Sequence, residues 1–421
     1  METSEKKLEK FNDLESISSS YDAIDILRLK LQRDKELTTL LNKSLVQAKI
    51  LAAKSLDPTL YQVLEWPVNN EEYLDYLTWF ARWTPNQSGS EAWKRPGHYD
   101  QNQEVYDRLC HFYWLIDQEI PVEGSAIKSE VQNGPWFSKW LVVYANLWGS
   151  FLNTPASFND KILESFIKNS PQYNVEDSMI TDTYTGKQRP NEPSGWLTFN
   201  QFFARELNPG MRPIDTPYDN TVITSPADCT YKATYPIDSN SEIEQITIKQ
   251  THSYASIHDL LDGSPYKDDF ANGTFVHYFL GPYDYHRFHA PVSGEVLECR
   301  AVRGKVYLDV NITENQFDAP DSAKDGYEFY QARGIIILDT KNSSYGDIGK
   351  VAIIPVGMCQ VSSVNMLAEK GKTLLKGDEF GYFLFGGSDI IMLFENGIGL
   401  KLNEQPIHHK YGEEVGACDS K

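Results

Sequence analysis

A serine follows two glycines near the carboxyl end of the sequence, in the run Phe385-Gly386-Gly387-Ser388. The flanking stretches, residues 380–385 and 390–394, are aromatic and β-branched, which predicts a strand, a sharp turn and a second strand. One interpretation is an ordinary hairpin whose glycines supply positive φ angles. The other is that the chain breaks its own peptide bond between Gly387 and Ser388.

Self-cleavage at this position would begin with attack of the Ser388 hydroxyl on the carbonyl carbon of Gly387, which turns the peptide bond into an ester. Gly387 has no side chain to block the attack, and glycine tolerates strained backbone conformations. β-Elimination of the ester leaves dehydroalanine, which hydrolyses to ammonia and a pyruvoyl group. The serine needs a base, and the base needs a carboxylate that orients it.

Histidine and aspartate candidates for those two roles occur in two upstream motifs. The run Tyr285-His286-Arg287-Phe288-His289 places two histidines three residues apart, and Asp228 ends the run Ser225-Pro226-Ala227-Asp228. Aspartate, histidine and serine follow one another in that order, which is allowed because catalytic triads are defined by geometry. A His-x-x-His pair also suits zinc, but the sequence offers no third ligand nearby, so we predict no metal.

Four motifs together resemble the phosphatidylserine decarboxylase family of pyruvoyl enzymes. They occur in the family's order, at residues 202–214, 225–228, 285–294 and 376–388. Two positions depart from the family pattern. Asp389 follows the serine where the family usually has threonine or serine, so an anionic side chain would adjoin the pyruvoyl group. Val361-Ser362-Ser363 stands where the family commonly has Val-Gly-Ser.

The resemblance implies a role for each residue of these motifs. Ser388 would become the pyruvoyl group, a covalent cofactor that needs neither metal nor PLP. His289, oriented by Asp228, would be the base of self-cleavage, and His286 would serve decarboxylation. A substrate amine would form an imine with the pyruvoyl ketone, and the electrons released with CO₂ would delocalise into it, as they do in PLP enzymes.

Cleavage between Gly387 and Ser388 would divide the zymogen into two fragments, with Gly386 as part of the flexible approach to the bond. The fragments would be residues 1–387 and 388–421, and the second would contain 421 − 387 = 34 residues. We expect the two fragments to remain associated.

The composition restricts partners and location. With 39 Lys and Arg against 59 Asp and Glu, the formal net charge is −20, which opposes binding to nucleic acid and to anionic bilayers. The apolar runs fall short of the roughly 18–20 residues that span a bilayer, and the first residues show no apolar signal-peptide core. Five scattered cysteines fit a reducing cytosol, so we predict a cytoplasmic protein.

Length and a change in pattern predict two domains. All nine tryptophans fall between Trp66 and Trp196, within a region that carries aromatic stripes at helical spacing, which we interpret as core. We therefore predict an α+β fold, with a helical domain at 1–195 and a mainly antiparallel β-rich domain at 196–421. Residues 1–45 are charged and compatible with helix, but Leu27, Leu29 and Leu31 do not follow helical spacing, so we expect part of this segment to be a flexible extension. The predicted strands include 244–249, 274–280, 294–300, 305–311, 334–338 and 351–356, and a helix is predicted at 254–261.

The substrate prediction rests on features outside the motifs. The negative charge and the lack of a membrane-spanning or strongly basic amphipathic segment favour a free amino acid, aromatic ones included. The aromatic-rich first half also resembles the extra domain of soluble superfamily members that decarboxylate free amino acids such as tryptophan. The alternative substrate is phosphatidylserine, which would give phosphatidylethanolamine. A homodimer is a further expectation.

Two other functions are compatible with the same residues. A serine hydrolase would use Asp228, His289 and Ser388 on an external substrate, although Ser388 lacks the strand-to-helix Gly-x-Ser-x-Gly elbow. A binding module that is never processed is the second. The mass of the chain under denaturing conditions separates both of these from a self-cleaving enzyme.

Overall fold

The computed structural model describes residues 14–95, 102–121, 128–248, 253–319, 326–359, 363–386 and 388–421. Gly387, on one side of the predicted scissile bond, and the 361–362 pair therefore lie outside the described residues. The chain divides into two compact units, the first made of 1–175, 196–201 and 305–320, and the second of 176–195, 202–304 and 321–421. The domain boundary at 195/196 stays a prediction.

Helices dominate the first unit. The described residues contain nine α-helices, which in chain order are α1 (Ser20–Arg33), α2 (Lys35–Ser55), α3 (Pro58–Val63), α4 (Asn70–Phe80), α5 (Glu104–Trp114), α6 (Pro135–Leu152), α7 (Asp160–Asn169), α8 (Phe199–Phe203) and α9 (Ile257–Leu260). The first two begin at side-chain caps, because Ser19 accepts the Asp22 N–H and Asp34 accepts the Leu37 N–H. The expectation that part of residues 1–45 is a flexible extension stays a prediction, because residues 20–45 are helical apart from Asp34 and residues 1–13 lie outside the described residues.

The aromatic stripes of the sequence form the core of this unit. Tyr73, Tyr76 and Phe80 of α4 are buried, as are Trp140 and Trp148 of α6. Each buried indole has a partner for its N–H, since Trp140 Nε1 donates to the carbonyl of residue 23 at 2.8 Å and Trp148 Nε1 to that of residue 83 at 2.9 Å. The interpretation of these stripes as core is confirmed.

Antiparallel strands dominate the second unit. The strands in chain order are β1 (Ile120–Pro121), β2 (Lys128–Ser129), β3 (Met179–Thr181), β4 (Gln188–Pro190), β5 (Val222–Thr224), β6 (Cys229–Pro236), β7 (Glu242–Ile248), β8 (Ser253–Ser256), β9 (Thr274–Leu280), β10 (Arg287–His289), β11 (Gly294–Val302), β12 (Asn311–Thr313), β13 (Gln316–Asp318), β14 (Arg333–Asp339), β15 (Lys350–Gly357), β16 (Val364–Met366), β17 (Thr373–Leu374), β18 (Glu379–Phe383), β19 (Ser388–Phe394), β20 (Lys401–Leu402), β21 (His408–His409) and β22 (Glu414–Ala417). The α+β prediction is confirmed.

An eight-stranded sheet forms the centre of the second unit, in the order β17-β11-β14-β15-β19-β9-β6-β21. Apolar clusters cover both of its faces. Along β19, Ile390 and Met392 pack in one cluster while Ile391 and Leu393 pack in the other, because successive side chains of a strand point to opposite faces. This two-sided burial explains why the β19 sequence is continuously apolar after its first two residues.

The two strands beside the predicted scissile bond do not pair with each other. Strand β18 lies in a three-stranded sheet with β10 and β16, whereas β19 lies between β15 and β9 in the central sheet. The hairpin interpretation is therefore wrong, and the chain passes from one sheet to another between the two strands.

Two other predicted elements also differ. Of the predicted strand at 305–311, only residue 311 is in a strand, β12. The predicted helix at 254–261 is half strand and half helix, because β8 ends at Ser256 and α9 follows it directly.

Candidate active site

Ser388 is the first residue of β19 and is completely buried. Its register partners are Gly357 on β15 and Leu280 on β9. By the alternation of the strand, its side chain shares a face with Ile390. Among the described residues, the Ser388 Oγ has no hydrogen-bond partner. A buried hydroxyl without a partner is costly, so such an atom calls for a functional explanation.

Asp389 points to the opposite face of β19 from Ser388. Its carboxylate Oδ1 lies 3.1 Å from His277 Nε2, and the other nitrogen of that ring lies 3.9 Å from Glu328 Oε1. All three side chains are completely buried. The expectation that an anionic side chain would adjoin the pyruvoyl group is therefore wrong, because the Asp389 side chain belongs to a buried acid–histidine–acid cluster on the opposite face of the strand.

His286 is held by its own loop and is fully buried. Its Nδ1 lies 2.7 Å from the backbone carbonyl oxygen of Asp284. A carbonyl only accepts, so Nδ1 carries the proton and Nε2 keeps its lone pair. Burial lowers the pKa of His286 to about 3. The ring packs against Phe203 at 4.1 Å, and Phe203 in turn contacts Phe385, close to the predicted scissile bond.

His289 ends β10 and has different neighbours. Its Nδ1 donates to the backbone carbonyl of Gly377 at 2.8 Å, so Nε2 is again the basic nitrogen. Burial lowers the pKa of His289 to about 4, although the Gly377 bond and the charge of Asp228 oppose that shift. The phenol ring of Tyr411 stacks on the imidazole at 3.6 Å with an interplanar angle of 3°.

Asp228 lies just before β6, and its carboxylate is satisfied by other partners than His289. Arg212 Nη2 donates to Oδ2 at 2.6 Å, Arg212 Nε lies 3.2 Å from both oxygens, and the Tyr411 N–H donates to Oδ1 at 2.9 Å. Asp228 and His289 thus both contact Tyr411. The hydrogen bond that orients the His289 imidazole is accepted by the Gly377 carbonyl and not by Asp228.

Several residues of this site were not predicted from the sequence as partners of the motif residues: Arg212, Gly377, Tyr411, and the pair Asp284 and His408. Arg212 and Gly377 lie inside the recognised motifs, where their spacing gives no sign of a partner. His408 lies in β21 and Tyr411 in the turn that follows it, more than a hundred residues from the histidine motif. Only tertiary structure brings them there.

The residues present fit a pyruvoyl group derived from Ser388. Each of the three motif residues Ser388, His286 and His289 has a buried polar atom without a hydrogen-bond partner among the described residues, namely Ser388 Oγ, His286 Nε2 and His289 Nε2. Gly386 has a φ angle of 152°, which side-chain-bearing residues rarely adopt. These are the atoms and the backbone that a serine-to-ketone conversion would use.

The described parts of the chain contain no cluster of three or more His, Cys, Asp or Glu side chains arranged to hold a metal ion. None of the helices in the described ranges is long and apolar enough to cross a bilayer.

A comparison with known families gives a match over residues 199–417 to the family described as phosphatidylserine decarboxylase. The chain belongs to this family. The match includes both histidines, Asp228 and Ser388, and the recognition made from the four motifs is confirmed.

Three relatives in this comparison differ in how much they share. Phosphatidylserine decarboxylase proenzyme 2 of Oryza sativa subsp. japonica is 36% identical over 47% of this chain and 29% of its own length. The phosphatidylserine decarboxylase proenzyme of Anoxybacillus flavithermus is 34% identical over 53% and 77%. Decarboxylase iboD of Amanita muscaria is 27% identical over 62% and 77%. The chain thus spans less than a third of the Oryza sativa relative.

Proposed function

We propose that this protein is a self-processing pyruvoyl-dependent decarboxylase that cleaves itself between Gly387 and Ser388. The observation that carries the proposal is that the serine and both histidines of the motifs each have a buried polar atom without a partner among the described residues, Ser388 Oγ, His289 Nε2 and His286 Nε2. They occur in a chain that matches the phosphatidylserine decarboxylase family and whose relatives include proteins named proenzymes. A nucleophile and two unprotonated imidazole nitrogens are what cleavage and decarboxylation require.

In the maturation step, His289 takes the proton of the Ser388 hydroxyl at its Nε2 while the oxygen attacks the Gly387 carbonyl. The Gly377 carbonyl keeps the proton of His289 on Nδ1 and so leaves Nε2 basic. Asp228 acts from a distance, because its negative charge favours the imidazolium that forms. Arg212 holds the Asp228 carboxylate in place through its fork of N–H groups.

In the decarboxylation step, a pyruvoyl group at position 388 would supply the carbonyl that accepts the electron pair left by CO₂. His286 is neutral and unprotonated at Nε2, so it first takes a proton from the substrate ammonium group and then returns it to the α-carbon. Phe203 packs against the His286 ring and contacts Phe385, so the surroundings of this imidazole are apolar.

The proposed substrate is the serine head group of phosphatidylserine. The names of the Oryza sativa and Anoxybacillus flavithermus relatives favour it over the free amino acid that the sequence analysis preferred. A free amino acid is the second candidate, because the Amanita muscaria relative, named only a decarboxylase, aligns over 62% of this chain. The cytoplasmic location, the homodimer and the association of the fragments stay predictions.

Ser388→Ala tests the proposal directly, since the substitution removes the attacking oxygen. Denaturing mass spectrometry of the unaltered protein should show two species, the smaller with 34 residues and a ketone in place of the Ser388 amine. Ser388→Ala should give one intact chain without decarboxylase activity.

An unaltered protein that is intact and reacts with a fluorophosphonate would instead indicate a serine hydrolase, and an intact, unreactive one would indicate a binding module. The substrate is decided by comparing CO₂ release from phosphatidylserine in mixed micelles with that from free serine and tryptophan.

A further inference from the structure

A short segment near the end of the chain, residues 408–411, contacts both histidine sites. Strand β21 pairs with β6, with His408 opposite Thr230 and His409 opposite Cys229. Tyr411, two residues further on, stacks on His289 and donates its N–H to Asp228. The segment therefore lies beside His289 and Asp228, and its first residue, His408, is linked to His286.

His408 is connected to His286 through a single residue, Asp284. The Nε2 of His408 lies 2.8 Å from Asp284 Oδ1, and the Gly281 N–H donates to Asp284 Oδ2 at 2.7 Å. The backbone carbonyl of Asp284 accepts the Nδ1 proton of His286 at 2.7 Å. The His408 side chain is 41% exposed, the Asp284 side chain 8%, and His286 not at all. A solvent-accessible imidazole is thus joined to a buried one.

The loop between β9 and β10 determines where the Asp284 carbonyl lies. Both carboxylate oxygens of Asp284 are hydrogen-bonded, and its N–H also donates to the Gly281 carbonyl at 3.0 Å, so the turn is closed from both sides. That carbonyl in turn selects the tautomer of His286 and the direction of its Nε2. Partners of this kind, one shell outside a reacting group, orient the group without touching the substrate.

We propose that His408, acting through Asp284, is a positioning residue that keeps Nε2 of His286 unprotonated and correctly aimed for decarboxylation. The proposal deepens the proposed function, since it rests on the role given there to His286. If the chain is cleaved after Gly387, His408 lies in the small fragment and His286 in the large one. One fragment then positions the base of the other.

The pairing gives turnover a pH dependence. The hydrogen bond to Asp284 raises the pKa of His408, with burial opposing it and the charges of Asp284, Asp228 and Glu413 adding to it. The neighbouring His409 is a further titratable group, and burial lowers its pKa, with the charge of His408 adding to that shift. Burial raises the pKa of Asp284, so the charged pair is present between the pKa of Asp284 and that of His408 and is lost as the pH rises through the pKa of His408. Turnover should therefore fall on the alkaline side, while maturation, which depends on His289, should not follow.

The test compares His408→Ala and His408→Gln with the control His258→Ala. His258 is a matched control, because its Nε2 lies 2.8 Å from Asp268 Oδ1 and its side chain is 38% exposed, yet its carboxylate partner lies outside the site. Each full-length variant is assayed for cleavage by mass spectrometry and for kcat and KM across neutral and alkaline pH, with whichever substrate the unaltered enzyme decarboxylates.

We expect His408→Ala to be cleaved normally, with kcat lowered about tenfold and KM unchanged. His408→Gln, which can still donate to Asp284, should recover part of kcat, and neither variant should show the alkaline decline. His258→Ala should match the unaltered enzyme. A His408→Ala variant with the kcat and pH profile of the unaltered enzyme would overturn the proposal.

A second measurement separates failure of this proposal from failure of the proposed function. In the uncleaved Ser388→Ala chain, NMR of the histidine rings should show His286 protonated at Nδ1, and adding His408→Ala should speed the exchange of that proton with water. Unchanged exchange would refute the positioning role. A chain that neither cleaves nor decarboxylates, but shows faster exchange, would refute the proposed function and leave the positioning of His286 by His408 established.

Discussion

His286 and His289 lie three residues apart, and backbone carbonyls from different parts of the chain hold them. The carbonyl of Asp284 lies two residues before His286, whereas that of Gly377 comes from the turn before β18. Both rings are neutral with a basic Nε2, so their roles are separated by their neighbours. Phe203 packs against His286 and also contacts Phe385, whereas Tyr411 stacks on His289.

This difference predicts opposite outcomes for two glutamine substitutions. His289→Gln should leave the chain largely uncleaved, because the amide cannot accept the serine proton. His286→Gln should be cleaved but should lose about 10²–10⁴-fold in kcat, the usual contribution of a general base. Mass spectrometry and CO₂ release measure the two effects. An uncleaved His286→Gln chain would show that the two roles are exchanged.

The lowered pKa values also predict how stability depends on pH. In the unfolded chain both histidines titrate near the ordinary value of 6.5, whereas burial lowers the pKa of His286 to about 3 and that of His289 to about 4 in the folded chain. The unfolded state therefore binds more protons below pH 6.5. The stabilisation is complete above that pH and is lost as the pH falls towards 4.

Urea unfolding of the Ser388→Ala chain, with and without His286→Gln, measures this dependence. The histidine should account for a loss of roughly 2–3 kcal/mol in the free energy of unfolding between pH 6.5 and 4.5, at about 1.4 kcal/mol per pKa unit. The His286→Gln chain should lose less over the same interval. Parallel curves for the two chains would contradict the burial effect.

At the residue scale, the sequence predicts the identities of the reacting side chains and not their partners. Ser388, His289, His286 and Asp228 stand in motifs with recognisable spacing. The carbonyl of Gly377 and the ring of Tyr411 offer no such signal, because any residue has a carbonyl and any tyrosine can pack. Their positions depend on contacts between strands distant in sequence.

At the level of elements, the turn between β17 and β18 is the part that holds His289. Gly377 has a φ angle of 89°, and a Cβ atom built there would lie 2.6 Å from Ile214 Cδ1. A side chain would therefore meet both backbone strain and a steric clash. Displacement of this turn would move the carbonyl that accepts the His289 proton.

We expect Gly377→Ala to slow self-cleavage by about tenfold or more, as misplacement of an orienting partner does elsewhere. Gly371→Ala is the matched control, because Gly371 has a similar φ of 82° but open space around a built Cβ. It should carry the backbone strain alone and be cleaved at close to the normal rate. The fraction cleaved over time after synthesis in a cell-free system measures both. Equal rates for the two variants would argue against the role of the Gly377 carbonyl.

The elements also show why some sequence predictions failed. The buried residues of α1 include Ala23, Ile24, Leu27 and Leu31, and these positions follow helical spacing. The three leucines considered in the sequence, Leu27, Leu29 and Leu31, do not follow that spacing when taken alone. Residues around β18 and β19 were correctly predicted as strands, but the interpretation of the two strands as a hairpin was wrong. The pairing partner of a strand depends on the packing of the whole sheet. The β-branched residues of β19 fit a centre strand and say nothing about its neighbours.

At the scale of the whole β-rich unit, β19 ties the two predicted fragments together. It has seven register pairs with β15 and seven with β9, and both of those strands belong to residues 1–387. The side chains from Ile390 to Phe394 are buried on both faces of the sheet. Loss of the 34-residue fragment would expose this apolar strand and leave the backbone groups of two neighbours unpaired.

The fragments should therefore elute together in size-exclusion chromatography of the cleaved protein and separate only in denaturant. The Ser388→Ala chain, which is uncleaved, gives the reference elution volume. Elution of the 34-residue fragment by itself under native conditions would contradict the register seen for β19.

Ser388 begins β19, and its two neighbouring strands, β9 and β15, are formed by residues 274–280 and 350–357. The nucleophile reaches its buried surroundings only when all three strands have assembled. Self-cleavage would therefore occur only in molecules whose central sheet is complete. An incompletely folded molecule would keep an intact backbone and would not acquire a reactive ketone. The presence of the ketone in a molecule would then show that this molecule had completed folding.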